Sequence, residues 1–255
     1  MQRLLILGAK GGTGLQCVKR TLELGGVSAI AAGRNATGHG ELLALQASAG
    51  DTHLKLMDLD VTDGEALEAA VADCDAAIFC CAGGSRSLYA LVDDEALGEL
   101  GRVCARLAKP VVTCSSQLVD GSKNGWSPIR MIINTIAWGK MDAKFAGETK
   151  LRESGACYVI LRPGRLEDGA LNRGSCSLGQ NDGYGNYASQ NGSTRADVAH
   201  VLVTAALHSL KCTADAPLKM TVEMGCERIP SGFRSGDLAA IRQDILTQLG
   251  GMKAD

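Results

Sequence analysis

The sequence has no excess of positive charge. Its 26 Lys and Arg residues are set against 28 Asp and Glu residues, giving a formal net charge of -2 and an isoelectric point near 6.1. A nucleic-acid partner or an anionic lipid would need a broad electropositive surface, although a local basic patch stays open. We therefore expect a small-molecule substrate and no nucleic-acid partner.

Long apolar runs are also missing. No stretch approaches the roughly 20 apolar residues that cross a bilayer, so we expect a soluble protein with no membrane span. The first predicted strand, residues 3–7, leaves no room for a targeting peptide ahead of it. We expect a cytoplasmic protein or one in a reducing organelle interior, and a transit peptide already removed would not be visible.

The ten cysteines contain no Cys-x-x-Cys pair, and the four histidines have no metal-ligand spacing. The sequence thus predicts no metal site. Because most cysteines stand in apolar runs, we expect buried, reduced thiols instead of a disulfide scaffold.

The pattern along the chain predicts an α/β fold. Short apolar runs alternate with segments of helical period, as in a doubly wound, mostly parallel Rossmann-type sheet with helices on both faces. A length of 255 residues favours a single domain, with a small C-terminal substrate lobe from residues 165–193 and 212–235. Strands are predicted at 3–7, 27–32, 53–59, 76–81, 110–114, 157–161 and 218–224, and a long loop at 169–193, which is rich in Gly, Asn, Ser and Gln.

A glycine-rich turn follows the first strand and opens an amphipathic helix. Its residues are Gly8, Ala9, Lys10, Gly11, Gly12, Thr13 and Gly14. Glycines let the backbone N–H groups and the helix N-terminus approach a pyrophosphate, which predicts a dinucleotide site. Arg34 stands 20 residues after Gly14, where an arginine accommodates the 2'-phosphate of NADP and an acidic residue would favour NAD. NADP(H) is the expected cofactor, with a solvated surface arginine as the alternative.

The Gly-x-x-Gly-x-x-Gly spacing resembles the short-chain dehydrogenase/reductase superfamily, in particular its atypical NmrA-like and flavin-reductase-like NAD(P)-binding branch. The resemblance implies adenine contacts from Asp60 and Val61 after strand three, and ribose contacts from Cys81, Ala82 and Gly83 after strand four. It implies nicotinamide-side roles for Ser115 and Ser116, for Lys144, and for Pro163 and Gly164. Thr194-Arg195-Ala196-Asp197-Val198-Ala199 is similar to a Ser-Arg-x-Asp-Val-Ala element of this branch. Each segment also has a plainer interpretation, such as turn chemistry at Ser115-Ser116 or a surface ion pair between Lys144 and Glu148.

The Tyr-x-x-x-Lys pair of most short-chain dehydrogenases is absent, because the position four residues before Lys144 is Lys140. Two hypotheses follow. The first is an NADPH-dependent oxidoreductase that transfers hydride to a conjugated acceptor such as a flavin or quinone, with Ser116 and Lys144 as candidate catalytic residues. The second is a catalytically weak NAD(P)-binding regulatory or assembly-factor protein.

The acceptor pocket is expected from the loops 84–92, 117–140 and 169–193. Four aromatic residues there are candidates to stack on a flat substrate, with core or rim packing as the alternative: Trp126, Trp138, Tyr184 and Tyr187.

Overall fold

The computed structural model describes residues 1–124, 126–169, 174–180, 192–211, 217–228 and 238–255. The strands are β1 (Gln2–Leu7), β2 (Val27–Gly33), β3 (Leu54–Asp58), β4 (Ala76–Phe79), β5 (Val111–Cys114), β6 (Tyr158–Pro163), β7 (Leu166–Glu167), β8 (Gly174–Gly179), β9 (Ser193–Thr194) and β10 (Lys219–Arg228). All seven strands that the sequence predicts are confirmed, with boundaries shifted by one to four residues.

The helices are α1 (Gly12–Glu23), α2 (Gly40–Ala49), α3 (Gly64–Ala72), α4 (Arg86–Leu88), α5 (Leu97–Arg106), α6 (Gly121–Asn124), α7 (Pro128–Ile136), α8 (Lys140–Glu153), α9 (Arg195–Ser209) and α10 (Leu238–Gly250). A π-helix, Tyr89–Ala96, joins α4 to α5. Much of the expected 84–92 loop is therefore helical.

Eight strands form one sheet in the order β3-β2-β1-β4-β5-β6-β10-β8. Every pairing in it is parallel except that of β8 with β10. One core packs α1, α2, α9 and α10 against one face of the sheet, and a second core packs α3, α5 and α8 against the other. The predicted doubly wound Rossmann-type fold is confirmed.

The strand order reverses between β1 and β4, so the connections leave β1 and β4 in opposite directions along the sheet. In open α/β sheets ligands bind outside the carboxyl ends of the strands at such a switch point. The glycine-rich turn follows β1 and therefore lies at this point.

Local sequence signals account for the helix ends. Gly25 and Gly26 take positive φ angles of 63° and 67° just after α1, which few other residues adopt without strain. Thr194 caps α9, because its side-chain oxygen accepts a hydrogen bond from the Asp197 N–H at 3.0 Å.

The prediction of a loop over residues 169–193 is wrong for Gly174–Gly179, because these residues form β8 on the edge of the main sheet. Backbone pairing with β10 decides this, and the Gly- and Ser-rich composition gives little strand signal. Residues 170–173 and 181–191 lie outside the described residues, as do Tyr184 and Tyr187. The substrate lobe stays a prediction.

Seven cysteines of the described part of the chain are free thiols, and three of them are fully buried. Burial raises the pKa of the Cys74 thiol and of the Cys114 thiol to about 12. Within the described ranges, no cluster of His, Cys, Asp and Glu could hold a metal ion. No described helix is long and apolar enough to cross a membrane.

Candidate cofactor site

The glycine-rich turn is held between two strands. Gly8 has a φ of 81°, and a Cβ atom there would lie 3.0 Å from the Cys80 carbonyl group. The Gly8 and Ala9 N–H groups both donate to the Ala32 carbonyl oxygen, at 3.0 and 3.1 Å. The backbone is thus fixed against the ends of β2 and β4, where only a residue without a side chain fits.

Helix α1 begins from this turn with Gly11 as its N-cap, and neither a side-chain cap nor an acidic residue occupies its first turn. Its first N–H groups and the positive end of the helix dipole are therefore available to an anion. A Cβ on Gly14 would lie 2.2 Å from the Gly8 carbonyl oxygen, whereas a Cβ on Gly11 would lie 3.3 Å from it. Gly14 is needed for the turn itself, while Gly11 faces the cleft beside it.

That cleft has a volume of about 330 Å³ and contains much of the predicted cofactor site. The predicted residues that line it are Gly8, Lys10, Gly11, Arg34, Asp60, Val61, Cys81 and Ala82. Their common position is the carboxyl ends of β1 to β4. The wall opposite the turn comes from Leu88, Leu91 and Val92, in α4 and the π-helix.

Arg34 lines the same cleft, and two carboxylates at or just after the end of β3, Asp58 and Asp60, are held by hydrogen bonds. Asp58 accepts hydrogen bonds from the Thr37 N–H at 2.9 Å and Thr37 Oγ1 at 2.5 Å, and these bonds lower its pKa. Hydrogen bonds from Thr62 lower the pKa of Asp60, with a smaller contribution from the Arg34 charge. Arg34 itself is exposed and forms no ion pair with any residue that the structure describes. Its guanidinium group is available to an anionic ligand.

Lys144 lies in a buried ion pair. Its Nζ atom is 2.8 Å from Asp93 Oδ1, and the side chains are 13% and 0% exposed. Burial alone would lower the pKa of Lys144, but the ion pair with Asp93 outweighs it and the pKa is raised. Asp93 Oδ2 also accepts the Gly83 N–H at 2.7 Å. One carboxylate therefore connects the predicted turn after β4 to the predicted lysine, which stays protonated.

Ser115 and Lys144 line a second, very small cavity of about 10 Å³ with Thr113 and Cys114. The Ser115 Oγ atom is buried and has no hydrogen-bond partner among the described residues. A buried hydroxyl without a partner is costly unless a ligand or water satisfies it. This unpaired hydroxyl and the glycine-rich turn, whose glycines leave room for phosphate groups, fit a bound dinucleotide.

The other predicted nicotinamide-side residues lie where β5 and β6 end. The Ser115 N–H donates to the Leu161 carbonyl at 2.7 Å, and the Gln117 N–H donates to the Pro163 carbonyl at 2.9 Å. This ladder brings Ser116 beside Pro163, while Gly164 follows directly. The Ser116 Oγ atom donates to the Gln117 carbonyl at 3.1 Å.

The alternative of a surface ion pair between Lys144 and Glu148 is wrong. Glu148 is fully buried and accepts hydrogen bonds from Arg162 Nε at 3.1 Å and Arg162 Nη2 at 2.6 Å. Arg152 adds a third bond at 3.0 Å. Both Lys144 and Glu148 thus have buried partners on other elements, which their spacing in the helix does not reveal.

Arg195 lies directly above the start of α1. A Cβ on Gly12 would lie 2.6 Å from Arg195 Cδ and 2.8 Å from its Nε atom. Arg195 Nη1 is 2.7 Å from Asp168 Oδ1, a carboxylate on a side chain that is 90% exposed. The Arg195 side chain therefore lies against the first residue of α1, beside the glycine-rich turn.

Sequence reasoning missed Asp93, Arg195 and the apolar wall of the cleft. Asp93 is one of three consecutive acidic residues, and nothing in the pattern distinguishes it. Arg195 belongs to the segment Thr194–Ala199, whose resemblance to a family element does not show that this side chain reaches Gly12. Trp126 and Trp138 are 96% and 66% exposed, so the alternative that they pack in the core is wrong.

A comparison with protein-family models finds a match over residues 8–209 to a family described as NAD(P)H-binding. The chain belongs to this NAD(P)H-binding family. The match covers the glycine-rich turn, the cleft and Lys144, and it ends with α9. A comparison with curated protein sequences finds no match.

Solved structures share the fold over nearly the whole chain. One is a NAD-dependent epimerase/dehydratase-like protein from Bacillus halodurans, with 18% identity, a TM-score of 0.68, and coverage of 96% of this chain and 100% of that one. ChuY, an anaerobilin reductase from Escherichia coli, has 22% identity, a TM-score of 0.62, and coverage of 92% of this chain and 100% of that one. A short-chain dehydrogenase/reductase from Veillonella parvula in complex with NADP has 16% identity, a TM-score of 0.59, and coverage of 90% and 95%.

Proposed function

We propose that the protein is an NADPH-dependent oxidoreductase that reduces a conjugated small molecule such as a flavin or quinone. The observation that carries this proposal is the cleft that joins the phosphate-binding turn to an exposed arginine at one end. No tyrosine stands four residues before the buried lysine. The NAD(P)H-binding family and the fold supply the cofactor class.

The choice of NADPH over NADH rests on Arg34. Its guanidinium group lines the cleft without a protein partner among the described residues. Arginine recognises a phosphate with paired, charge-assisted hydrogen bonds. The NADP complex of the Veillonella relative is consistent with this choice.

Other residues would hold the rest of the cofactor. The N–H groups of Gly12 and Thr13 and the Arg195 guanidinium group are suited to the pyrophosphate, because they place partial or full positive charge at the N-terminal end of α1. Lys144, Ser115 and the Pro163-Gly164 turn are assigned to the nicotinamide side. Asp93 is assigned a positioning role, because it fixes the Lys144 ammonium group and the Gly83 backbone together.

The proposed acceptor class follows from the absence, in the described part of the chain, of a tyrosine or another side chain arranged to donate a proton to the substrate. Bound NADPH would supply the hydride. Lys144 is held protonated by Asp93, and Ser116 donates to a backbone carbonyl, so neither is arranged as a strong proton donor. A conjugated ring spreads the charge that a hydride brings and can take its proton from solvent. ChuY, a reductase of similar fold, supports the same reaction class.

The test is stopped-flow oxidation of bound NADPH by a panel of flavins, quinones and α,β-unsaturated aldehydes, with calorimetry for cofactor affinity. We expect at least one flavin or quinone to oxidise the cofactor faster than a simple aldehyde or ketone does. If only simple aldehydes and ketones oxidise the bound NADPH, the proposed acceptor class is wrong.

A second candidate is a catalytically weak NAD(P)-binding regulatory or assembly-factor protein. The buried Lys144–Asp93 pair favours it, because a lysine committed to a carboxylate stabilises the fold and offers no acid or base. Tight NADPH binding with no oxidation by any acceptor in the panel would select this candidate.

A further inference from the structure

Helix α7 turns its polar side toward the protein. Arg130 forms an ion pair with Asp142 on α8, and its Nη2 atom donates to the Val119 carbonyl at 3.4 Å. Asn134 Nδ2 donates to Asp142 Oδ2 at 2.6 Å, and Asn134 Oδ1 accepts the Met141 N–H at 3.1 Å. Polar contacts thus anchor α7 to the N-terminal end of α8.

The opposite side of α7 is apolar and faces solvent, and no residue of the helix is buried. Together with the residues at its two ends, it forms a surface that we name the docking face: Trp126 (96% exposed), Ile129 (39%), Met131 (55%), Ile132 (57%), Ile136 (73%) and Trp138 (66%). An ordinary surface helix buries its apolar stripe and exposes its polar residues. This reversed arrangement is typical of a surface that another body covers.

The charge around the docking face is positive. Residues 121–141 contain no acidic residue, within a chain of net charge -2. Lys123 and Lys140 lie toward the two ends of this stretch, whereas Arg130 faces the protein and is paired with Asp142. The Arg86 guanidinium group lies 5.3 Å from the centre of the Trp138 ring. The Lys140 ammonium group lies 5.6 Å from that of Tyr89. The apolar surface therefore has a cationic rim with a tryptophan at each end.

We propose that the docking face binds peripherally to an anionic lipid surface. An apolar helix face with flanking tryptophans and basic residues matches the boundary between lipid headgroups and acyl chains. A second copy of this chain is less suitable as the occupant, because two cationic rims would oppose each other. The proposal does not depend on the reaction that the cofactor site performs.

The two tryptophans of the docking face are the only two in the chain, so intrinsic fluorescence reports on this surface alone. The full chain is titrated with vesicles of phosphatidylcholine and with vesicles that also contain phosphatidylglycerol. We expect a blue shift and co-sedimentation with the anionic vesicles, both weakened by high salt, and much weaker binding to phosphatidylcholine alone.

The Ile132→Ser, Ile136→Ser double variant is expected to lower the partition coefficient by about tenfold or more, because two apolar side chains are lost from the contact. Leu43→Ser is the matched control, since Leu43 is 43% exposed on α2 and should not change binding. NADPH affinity and circular dichroism check that the variants are folded.

Three results would overturn the proposal. The first is the absence of a blue shift with anionic vesicles. The second is equal loss of binding in the Leu43→Ser control. The third is a concentration-dependent dimer in analytical ultracentrifugation that the double variant abolishes, which would make a second copy the occupant.

Discussion

Replacing Asp93 with Asn is expected to destabilise the protein strongly. The substitution keeps the side-chain shape but removes the charge that faces Lys144 Nζ at 2.8 Å, where the Asp93 side chain is fully buried. Removing one partner of a buried ion pair leaves the other charge uncompensated and costs about 3–5 kcal/mol. We expect a loss of that size in the free energy of unfolding at pH 7, measured by urea denaturation.

The pH dependence gives a second measurement. The pKa of Lys144 is raised in the folded protein, so its contribution to stability is complete below the unfolded value of about 10.4 and is lost as pH rises through the folded value. The stability difference between wild type and Asp93→Asn should therefore be largest at neutral pH. It should shrink as pH rises toward and beyond about 10.4, because burial lowers the pKa of the unpaired lysine in the variant below that value, and the wild-type pair loses its contribution above it.

Asp94→Asn is the matched control, because Asp94 is the next residue and pairs with Lys150, whose side chain is 32% exposed. A pair of this kind contributes about 0–1 kcal/mol. A double variant, Asp93→Asn with Lys144→Met, should be less destabilised than Asp93→Asn alone, since no buried charge remains. A loss below about 1 kcal/mol for Asp93→Asn, or one equal to that of Asp94→Asn, would refute the reasoning.

Four further predictions concern the cofactor site. Arg34→Asp should weaken NADPH binding by about 1.5–3 kcal/mol in calorimetry, because a charge-assisted phosphate contact is lost; equal affinity of the wild type for NADPH and NADH would contradict the role of Arg34. Gly11→Val should abolish NADPH binding in a folded protein, whereas Gly14→Val should also lose helical signal in circular dichroism, because its Cβ would lie 2.2 Å from a backbone oxygen. Arg195→Gln should weaken NADPH binding but leave the binding of adenosine 2'-monophosphate unchanged, since that probe has no 5'-phosphate; equal losses for both ligands would exclude a pyrophosphate contact. Ser116→Ala should lower the maximal rate by about tenfold or less, because a dispensable proton donor contributes less than the roughly 10²–10⁴ that is typical of general acid catalysis. For the same reason the rate of the hydride step should vary little between about pH 6 and 8. A thousandfold loss would make Ser116 a true proton donor.

Local patterns predicted the elements that they encode directly. Apolar runs predicted the strands, and the glycine-rich turn predicted the start of the first helix. Gly25 and Gly26 follow the end of that helix, and Thr194 caps α9, as these residue types commonly do. The strand Gly174–Gly179 was missed, because its residues have low strand propensity and only pairing with β10 stabilises it.

The sequence by itself determined the fold class and located the glycine-rich turn and the order of the candidate cofactor-site residues, because these depend on backbone conformation and on spacing within a few residues. The tertiary structure alone decided which side chains pair with each other. Asp93 meets Lys144 and Glu148 meets Arg162 across 51 and 14 residues of chain, and Arg195 reaches Gly12 from the far end of the family match. Which face of α7 points to solvent was likewise set by its hydrogen bonds to α8. Such contacts form only when distant helices pack on the same sheet, so no local pattern contains them.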